Sequence, residues 1–279
     1  MNTVSRTALL VAAPASGQGK TAITAGLARA LLQQGKKVAV FKLGPDYLDP
    51  QILAAACQQP VYQLDLWMLG QAACQQLLHR GAEKADVVLI ESAMGMFDGT
   101  PCAADFAKTF NLPILLIIDA SKMAQTFAAI AMGLTRFDHE LNIYGIAANR
   151  VASPRHRQLI TQDLPSSIPL LAILDRNADL ILPSRHLGLV QAEEITDLDS
   201  RLNKLAQQID GSGLLNHWPP PSVSFVPLAA QSEPPLLLRG QTIAIARDRA
   251  FSFIYPQNIE LLQLMGAKIE YFSPLSNPH

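Results

Sequence analysis

The sequence predicts an α/β fold in which a mostly parallel, doubly wound sheet is covered by helices on both faces. Apolar runs of strand length alternate with segments of helical periodicity, which is the pattern of right-handed β-α-β units. The strand-like runs are rich in Val, Ile and Leu without polar alternation, as expected for strands buried on both faces. A glycine-rich turn joins the first strand to the first helix. Ligands of such sheets bind at the carboxyl ends of the strands, so candidate site residues are sought there.

The first β-α unit carries a phosphate-binding signature. Residues 7–13 form an apolar run, and a helical pattern begins near residue 21 and ends at Gly35. The connection between them reads Ser16-Gly17-Gln18-Gly19-Lys20-Thr21. A turn of this kind before a helix N-terminus is typical of a nucleotide site, because backbone N–H groups and the helix dipole both favour phosphate.

The residue types in this turn fit a P-loop. Gly17 and Gly19 let the backbone aim its N–H groups at phosphate oxygens. Lys20 can reach the outer phosphates, and the Thr21 hydroxyl can ligate Mg²⁺. Pro14 stands where the full P-loop pattern has a glycine, so an ordinary glycine-rich turn is the alternative. The succession of strand, Gly-Lys-Thr and helix favours the P-loop and predicts binding of ATP with Mg²⁺.

The remaining elements follow from the same alternation. Further strands are predicted over residues 37–43, 86–90, 113–119, 143–149 and 170–174. Helices are predicted over residues 51–57, 69–80, 103–110, 124–137 and 155–163. Asp119 ends one strand at the carboxyl edge of the sheet and could be a site residue, but it is expected to cap the helix that follows.

Acidic residues and a lysine follow the strands that neighbour the P-loop. Glu91 ends a buried strand, where P-loop enzymes place a carboxylate that holds Mg²⁺. Asp46 can supply a further carboxylate, and Lys42 can stabilise charge on a transferred phosphoryl group. Asp49 and Asp98 lie in the same two loops. Each acid alone could be a solvated loop residue, but four at strand ends beside one P-loop favour a site.

Composition excludes several classes of function. The chain has 22 Lys+Arg against 23 Asp+Glu and a net charge of −1, so no basic field favours nucleic acid. No apolar run approaches the ~20 residues of a membrane span, so no membrane contact and a cytoplasmic location are expected. Cys57, Cys74 and Cys102 lack the spacing of a zinc site or a disulfide framework.

Three segments are predicted along the chain. Residues 1–210 would form the ATP-binding domain, and the proline-rich residues 211–240 would form a linker. Residues 241–279 read as the opening of a second α/β domain, with a strand at 241–246, a helix at 257–264 and a strand at 268–272. About 40 residues cannot bury an independent core, so this end is expected to be an incomplete part of a larger domain.

Several motifs closely resemble the cobyrinate a,c-diamide synthase family. They are residues 16–21, residues 42–50, Trp67-Met68 after Leu64-Asp65, residues 91–99, and Pro183-Ser184-Arg185-His186-Leu187-Gly188-Leu189 followed by Glu193. Residues 243–248 and Ser252-Phe253 resemble the start of that family's class I glutamine amidotransferase domain. The first two hundred residues are more distantly similar to dethiobiotin synthetase.

The resemblance implies an ATP-dependent amidation of the a- and c-acetate carboxylates of cobyrinic acid through acyl phosphates. It implies ATP binding by Ser16, Gly17, Gly19, Lys20 and Thr21, and Mg²⁺ binding by Thr21, Asp46 and Glu91. It further implies that Lys42 contacts the transferring phosphoryl group, that Tyr47 and Leu48 position the corrin carboxylate, and that Asp49 and Asp98 line the catalytic site. Asn149 resembles the adenine-binding asparagine of related ATPases, although it could simply end a strand.

Two departures and three alternatives accompany this resemblance. Ser92 follows Glu91 where relatives often have glycine, a change expected to leave Glu91 usable. No cysteine lies beyond Cys102, so the chain is expected to use free ammonia, whereas the complete enzyme would take nitrogen from glutamine. Hydrogenobyrinate or nickel sirohydrochlorin could replace cobyrinate as the tetrapyrrole.

An alternative from another functional class is a P-loop switch protein that binds ATP to regulate a partner. For the assembly of the chain, a homodimer is one possibility.

Overall fold

The computed structural model describes residues 2–180, 190–228 and 234–276. Its main feature is an eight-stranded sheet in the order β3-β2-β4-β1-β5-β6-β7, with β8 paired to β1. Every pairing in this sheet is parallel except that of β8 with β1. The strands are β1 (Val4–Ala12), β2 (Val38–Leu43), β3 (Tyr62–Leu64), β4 (Val87–Ser92), β5 (Ile114–Asp119), β6 (Ile143–Val151), β7 (Leu170–Asp175) and β8 (Ser222–Phe225).

Helices cover both faces of this sheet. They are α1 (Lys20–Gln33), α2 (Asp49–Cys57), α3 (Gly70–Lys84), α4 (Ala103–Thr109), α5 (Thr126–Arg136), α6 (Pro154–Thr161) and α7 (Leu198–Gly211). One buried apolar cluster joins the sheet to α1, α2 and α7, through side chains such as Leu27, Leu53 and Leu205. A second cluster joins it to α3, α4, α5 and α6, through side chains such as Leu78 and Phe106. The doubly wound, mostly parallel sheet is confirmed.

Two strands of the sheet were not predicted. β3 has only three residues, too few for a periodic pattern to be recognised. β8 lies within residues 211–240, which therefore do not form a linker throughout. The prolines at 219–221 precede β8, and its residues alternate between exposed and buried as they pair with Val4 to Thr7. The predicted ends of the other elements differ from the observed ones by a few residues.

The C-terminal residues form a separate two-stranded parallel sheet. It consists of β9 (Thr242–Ala246) and β10 (Lys268–Phe272), joined through α8 (Pro256–Leu264). This C-terminal unit contacts the main sheet through Glu260, which accepts hydrogen bonds from Tyr62 and from Arg80. The two strands and the helix match the elements predicted there, and their place in a larger domain stays a prediction. Within the described ranges, no helix is both long and apolar enough to cross a membrane.

Candidate functional site

The turn between β1 and α1 has the backbone of a phosphate-binding loop. Gly17 and Gly19 have φ values of 77° and 95°, a left-handed region in which side chains are disfavoured. A Cβ at Gly19 would also overlap Nδ2 of Asn149. The helix starts directly afterwards at Lys20, so its free N–H groups face the loop.

Lys20 is held inside this loop by backbone oxygens. Its Nζ donates hydrogen bonds to the carbonyl of Ala15 at 3.1 Å and to that of Met94 at 2.7 Å. Burial lowers the pKa of the Lys20 ammonium, and Glu91 and other nearby carboxylates partly offset that effect. The Lys20 ammonium is thus hydrogen-bonded to one carbonyl of the loop and to one carbonyl that follows β4. Phosphate oxygens are chemically suited to replace these two acceptors.

A buried lysine lies among three carboxylates beside the loop. Lys42 Nζ lies 3.1 Å from Asp46 Oδ2, 2.7 Å from Asp49 Oδ2 and 3.1 Å from Glu91 Oε1. Lys42 and Glu91 are each 1% exposed and occupy paired positions on β2 and β4. Burial alone would lower the pKa of Lys42, but the attraction of the carboxylates is stronger and raises it. Lys42 is therefore a fixed, desolvated positive charge at the carboxyl end of the sheet.

Two carboxylate oxygens lie beside the hydroxyl of Thr21, the residue after Lys20. Thr21 Oγ1 lies 3.0 Å from Asp49 Oδ2 and 2.9 Å from Glu91 Oε1. The other carboxylate oxygen of Glu91 is buried without a hydrogen-bond partner, and burial raises the pKa of this carboxyl. Oxygen donors of these types fit Mg²⁺. No group of three or more His, Cys, Asp and Glu side chains in the described residues could hold a metal alone. Magnesium here would need Thr21 and phosphate oxygens as ligands.

Asp46 has a different environment from the one expected. Its Oδ1 accepts hydrogen bonds from the N–H groups of Leu48 and Asp49. Burial opposes its ionisation, but Lys42 and the Leu48 N–H together lower the pKa of this carboxyl. The Thr21 hydroxyl is contacted by Asp49 and Glu91 and not by Asp46, whose role as a magnesium ligand stays a prediction.

A cavity of about 820 Å³ extends from the loop across the carboxyl ends of the strands. Its lining includes the predicted residues Ser16, Gly17, Gly19, Lys20, Thr21, Lys42, Asp46, Leu48, Asp49, Glu91 and Asn149. Its lining also includes the apolar Leu174, Leu180, Leu205 and Ile209, together with the polar Asp175, Arg176, Asn177 and Gln208. A cavity that joins a phosphate loop to a lining of mixed polar and apolar side chains is suited to a nucleotide.

Two predicted residues lie outside this cavity. Asp98 Oδ2 accepts a hydrogen bond from the Gly95 N–H at 3.0 Å, although its charge still acts on Lys20. Tyr47 instead lines a second cavity of about 720 Å³ that the C-terminal unit completes. Residues 183–189, which carry the Arg-His-Leu-Gly-Leu motif, lie outside the described residues.

Residues at the ends of β5 and β6 hold the loop, and of these sequence reasoning missed Arg150. Asn149 Nδ2 donates to the Gln18 carbonyl at 2.8 Å, and Arg150 Nη1 donates to the Gly17 carbonyl at 3.1 Å. Gln18 Oε1 accepts a hydrogen bond from the Asp119 N–H at 2.8 Å. The position of Arg150 near the carboxyl end of a strand could have indicated that it lies at the site.

The expected helix cap at Asp119 is wrong. Its Oδ1 accepts a hydrogen bond from the Ser121 N–H, and α5 begins only at Thr126. Its other carboxylate oxygen pairs with Arg150. Asp119 therefore belongs to the group of residues that hold the loop.

Three curated relatives of this chain are a,c-diamide synthases. A hydrogenobyrinate a,c-diamide synthase of Stutzerimonas stutzeri is 54% identical over 96% of this chain and 62% of that protein. One of Pseudomonas aeruginosa is 50% identical over 97% of this chain and 61% of that protein. A cobyrinate a,c-diamide synthase of Herminiimonas arsenicoxydans is 47% identical, with 96% and 60% covered. The chain thus spans about three fifths of the length of these relatives.

The family pattern of the CobQ/CobB/MinD/ParA nucleotide binding domain, called CbiA, matches residues 9–190. The matched range contains the P-loop, the Lys42 cluster and the residues that hold the loop. The chain therefore belongs to the CobQ/CobB/MinD/ParA nucleotide-binding domain family.

Proposed function

We propose that this chain is the synthetase part of a corrin a,c-diamide synthase, which uses ATP to convert two acetate carboxylates of a corrin into amides. The observation that carries the proposal is the contact of Lys42 with Asp49 and Glu91, beside Thr21 of the P-loop. This arrangement combines a phosphate loop, carboxylates for a metal and a buried cation. Those are the groups that phosphoryl transfer to a carboxylate requires.

In the proposed first step, a corrin carboxylate oxygen attacks the γ-phosphorus of ATP, and the bond to ADP breaks. In the second step, ammonia attacks the acyl carbon of the resulting acyl phosphate, phosphate leaves, and the nitrogen loses a proton that ends on phosphate. This chain would use free ammonia as its nitrogen source. In a longer protein, glutamine would supply the ammonia. A cytoplasmic location and the absence of nucleic-acid and membrane partners belong to the same proposal.

The chain's own residues have distinct tasks in this reaction. Lys20 would exchange the carbonyls of Ala15 and Met94 for phosphate oxygens. Lys42 would stabilise negative charge on the transferring group, since it is desolvated and remains protonated. Thr21 and Glu91 would hold magnesium, with Asp49 or Asp46 as the next ligand, and the metal would neutralise phosphate charge when bound.

Mass spectrometry of cobyrinic acid and hydrogenobyrinic acid, each incubated with the chain, Mg-ATP and either ammonium or glutamine, tests the proposal. We expect conversion of two carboxylates with ammonium, none with glutamine, and no product from Lys20→Ala. The two substrates differ in whether cobalt is present, so their relative rates assign the tetrapyrrole. ATP turnover that no tetrapyrrole stimulates, without amide product, would instead support the P-loop switch.

A further inference from the structure

The side chain of Tyr47 is enclosed by two aromatic rings of the C-terminal unit. Its ring is 4.9 Å from that of Phe253 at an interplanar angle of 6°, and 4.4 Å from that of Tyr255 at 18°. Tyr47 lies between β2 and α2, whereas both partners lie between β9 and α8. Parallel aromatic rings at such separations attract each other beyond the burial of their surface. The three rings therefore form a stack that bridges the main sheet and the C-terminal unit.

The central ring of this stack belongs to the loop that carries two carboxylates of the site. Asp46 Oδ1 accepts hydrogen bonds from the N–H groups of Leu48 and Asp49, so the backbone on both sides of Tyr47 is tied into one tight turn. Asp46 and Asp49 both contact Lys42 Nζ, at 3.1 Å and 2.7 Å. A displacement of Tyr47 would therefore move these carboxylates relative to Lys42.

The same C-terminal unit reaches this loop by a second route. Gln257 Nε2 donates to the carbonyl of Gln63 at 2.9 Å. Gln63, which is 6% exposed, in turn donates from Nε2 to the carbonyl of Asp46 at 3.0 Å. The loop is thus held through its backbone by Gln63 and through its aromatic ring by the stack. Both connections originate from residues 253–257.

We propose that Phe253 and Tyr255 are positioning residues for the corrin carboxylate, which act through Tyr47 on the loop of residues 46–49. The C-terminal unit then completes the acceptor side of the site, while the described residues that line the nucleotide side belong to the main sheet, its loops and its helices. This inference rests on the proposed function, because it assigns the loop to the amide-forming reaction. Removing a ring of the stack loosens this loop, whereas Gly17, Gln18 and Lys20 of the P-loop keep their own contacts.

The test compares three variants of the full chain. Phe253→Leu removes one ring, Phe253→Tyr keeps it, and Phe251→Leu is the matched control. Phe251 lies in the same segment, is 49% exposed and is not part of the stack. Amidation kinetics with ammonium give kcat and the KM for the tetrapyrrole, and calorimetry gives the affinity for ATP.

We expect kcat/KM for the tetrapyrrole to fall about tenfold in Phe253→Leu, because small misplacements of reacting groups are costly. ATP affinity should fall by a much smaller factor than kcat/KM, because the loop contributes at most one magnesium ligand and no P-loop group. Both Phe253→Tyr and Phe251→Leu should retain the rate. Hydrogen exchange of the amides of residues 46–49 should accelerate in Phe253→Leu only. An equal loss in Phe253→Leu and Phe251→Leu, or a parallel loss of ATP affinity, would contradict the positioning role.

Failure of the proposed function is distinguishable from failure of this inference. If the wild-type chain amidates no tetrapyrrole, the proposed function is wrong, and exchange at residues 46–49 still decides whether the stack holds the loop. Unchanged exchange in Phe253→Leu would then overturn the inference. Tyr255→Leu gives a second measurement from the other side of Tyr47, should Phe253→Leu fail to fold.

Discussion

At the scale of single residues, the site depends on one buried cation. Lys42 faces Asp46, Asp49 and Glu91, and Glu91 is itself fully enclosed. The attraction within such a cluster offsets the desolvation of its members only while charges balance. Loss of the ammonium would leave Glu91 buried without a counter-charge and facing the repulsion of Asp49.

Replacing Lys42 with Met is therefore expected to lower the free energy of unfolding by about 3–5 kcal/mol and to abolish amidation. The double variant Lys42→Met/Glu91→Gln should recover much of the stability, because the unpaired charge is removed, but none of the activity. Urea denaturation of the single and double variants measures the coupling. Additive losses of stability in the double variant would show that the two side chains are not coupled.

At the scale of secondary-structure elements, Arg29 ties the helix that carries Asp49 to its neighbours. Arg29 lies on α1 and is 6% exposed. Its Nη2 donates to the carbonyl of Ala55 at 2.8 Å, and its Nε donates to that of Ala56 at 3.2 Å, both in the last turn of α2. The last carbonyls of a helix have no partner within it, so Arg29 supplies one. Its Nη1 reaches Asp199 of α7 at 2.6 Å.

We expect Arg29→Met to lower the free energy of unfolding by about 2–4 kcal/mol, since it leaves two buried carbonyls unpaired. Asp199→Ala should cost less than about 1 kcal/mol. The Asp199 side chain is 75% exposed, and Asn203 Oδ1 still lies 3.2 Å from Nη1 of Arg29. Urea unfolding of the two variants compares these losses. Equal losses of unfolding free energy in the two variants would mean that Arg29 contributes to stability through its ion pair with Asp199 and not through the carbonyls at the end of α2.

The elements also show how far sequence patterns predict this molecule. Long apolar runs such as the one that forms β5 were predicted because burial on both faces fixes their composition. The short β3 and β8 were missed, since each depends on a partner strand that only the folded chain provides. β3 pairs at the edge of the sheet with β2, and β8 pairs with the first residues of the central strand β1. The order of motifs and strands predicted four acids beside the P-loop, and three of them, Asp46, Asp49 and Glu91, line its cavity.

The finer geometry of the site depends on tertiary contacts that no local pattern encodes. Asp49 meets Thr21 because α2 starts at Asp49, whereas Asp46 is turned toward backbone N–H groups. Arg150 holds the P-loop from a strand two positions away in the sheet. The ring stack on Tyr47 joins residues about two hundred positions apart in the sequence. Such contacts become visible only once the chain is folded.

At the scale of the whole molecule, the nucleotide cavity and the C-terminal unit are built on different sheets. The cavity lining comes from residues 16–209, within the range of the eight-stranded sheet and its helices. The two-stranded sheet contributes to the second cavity, where Tyr47 lies. Nucleotide binding should therefore stabilise the main sheet directly.

Binding of Mg-ATP and the stability of the main sheet are linked. A ligand present at one hundred times its Kd stabilises the native state by about 2.7 kcal/mol, so Mg-ATP should raise the Tm by about 5–10 °C. Lys20→Ala should remove most of this shift, because the lysine can no longer exchange its loop carbonyls for phosphate oxygens. Asp46→Asn should keep the shift yet lose amidation, since Asp46 contacts Lys42 rather than Thr21. Thermal unfolding with and without EDTA measures how much of the Tm shift depends on magnesium. A full shift in Lys20→Ala would show that the nucleotide binds elsewhere.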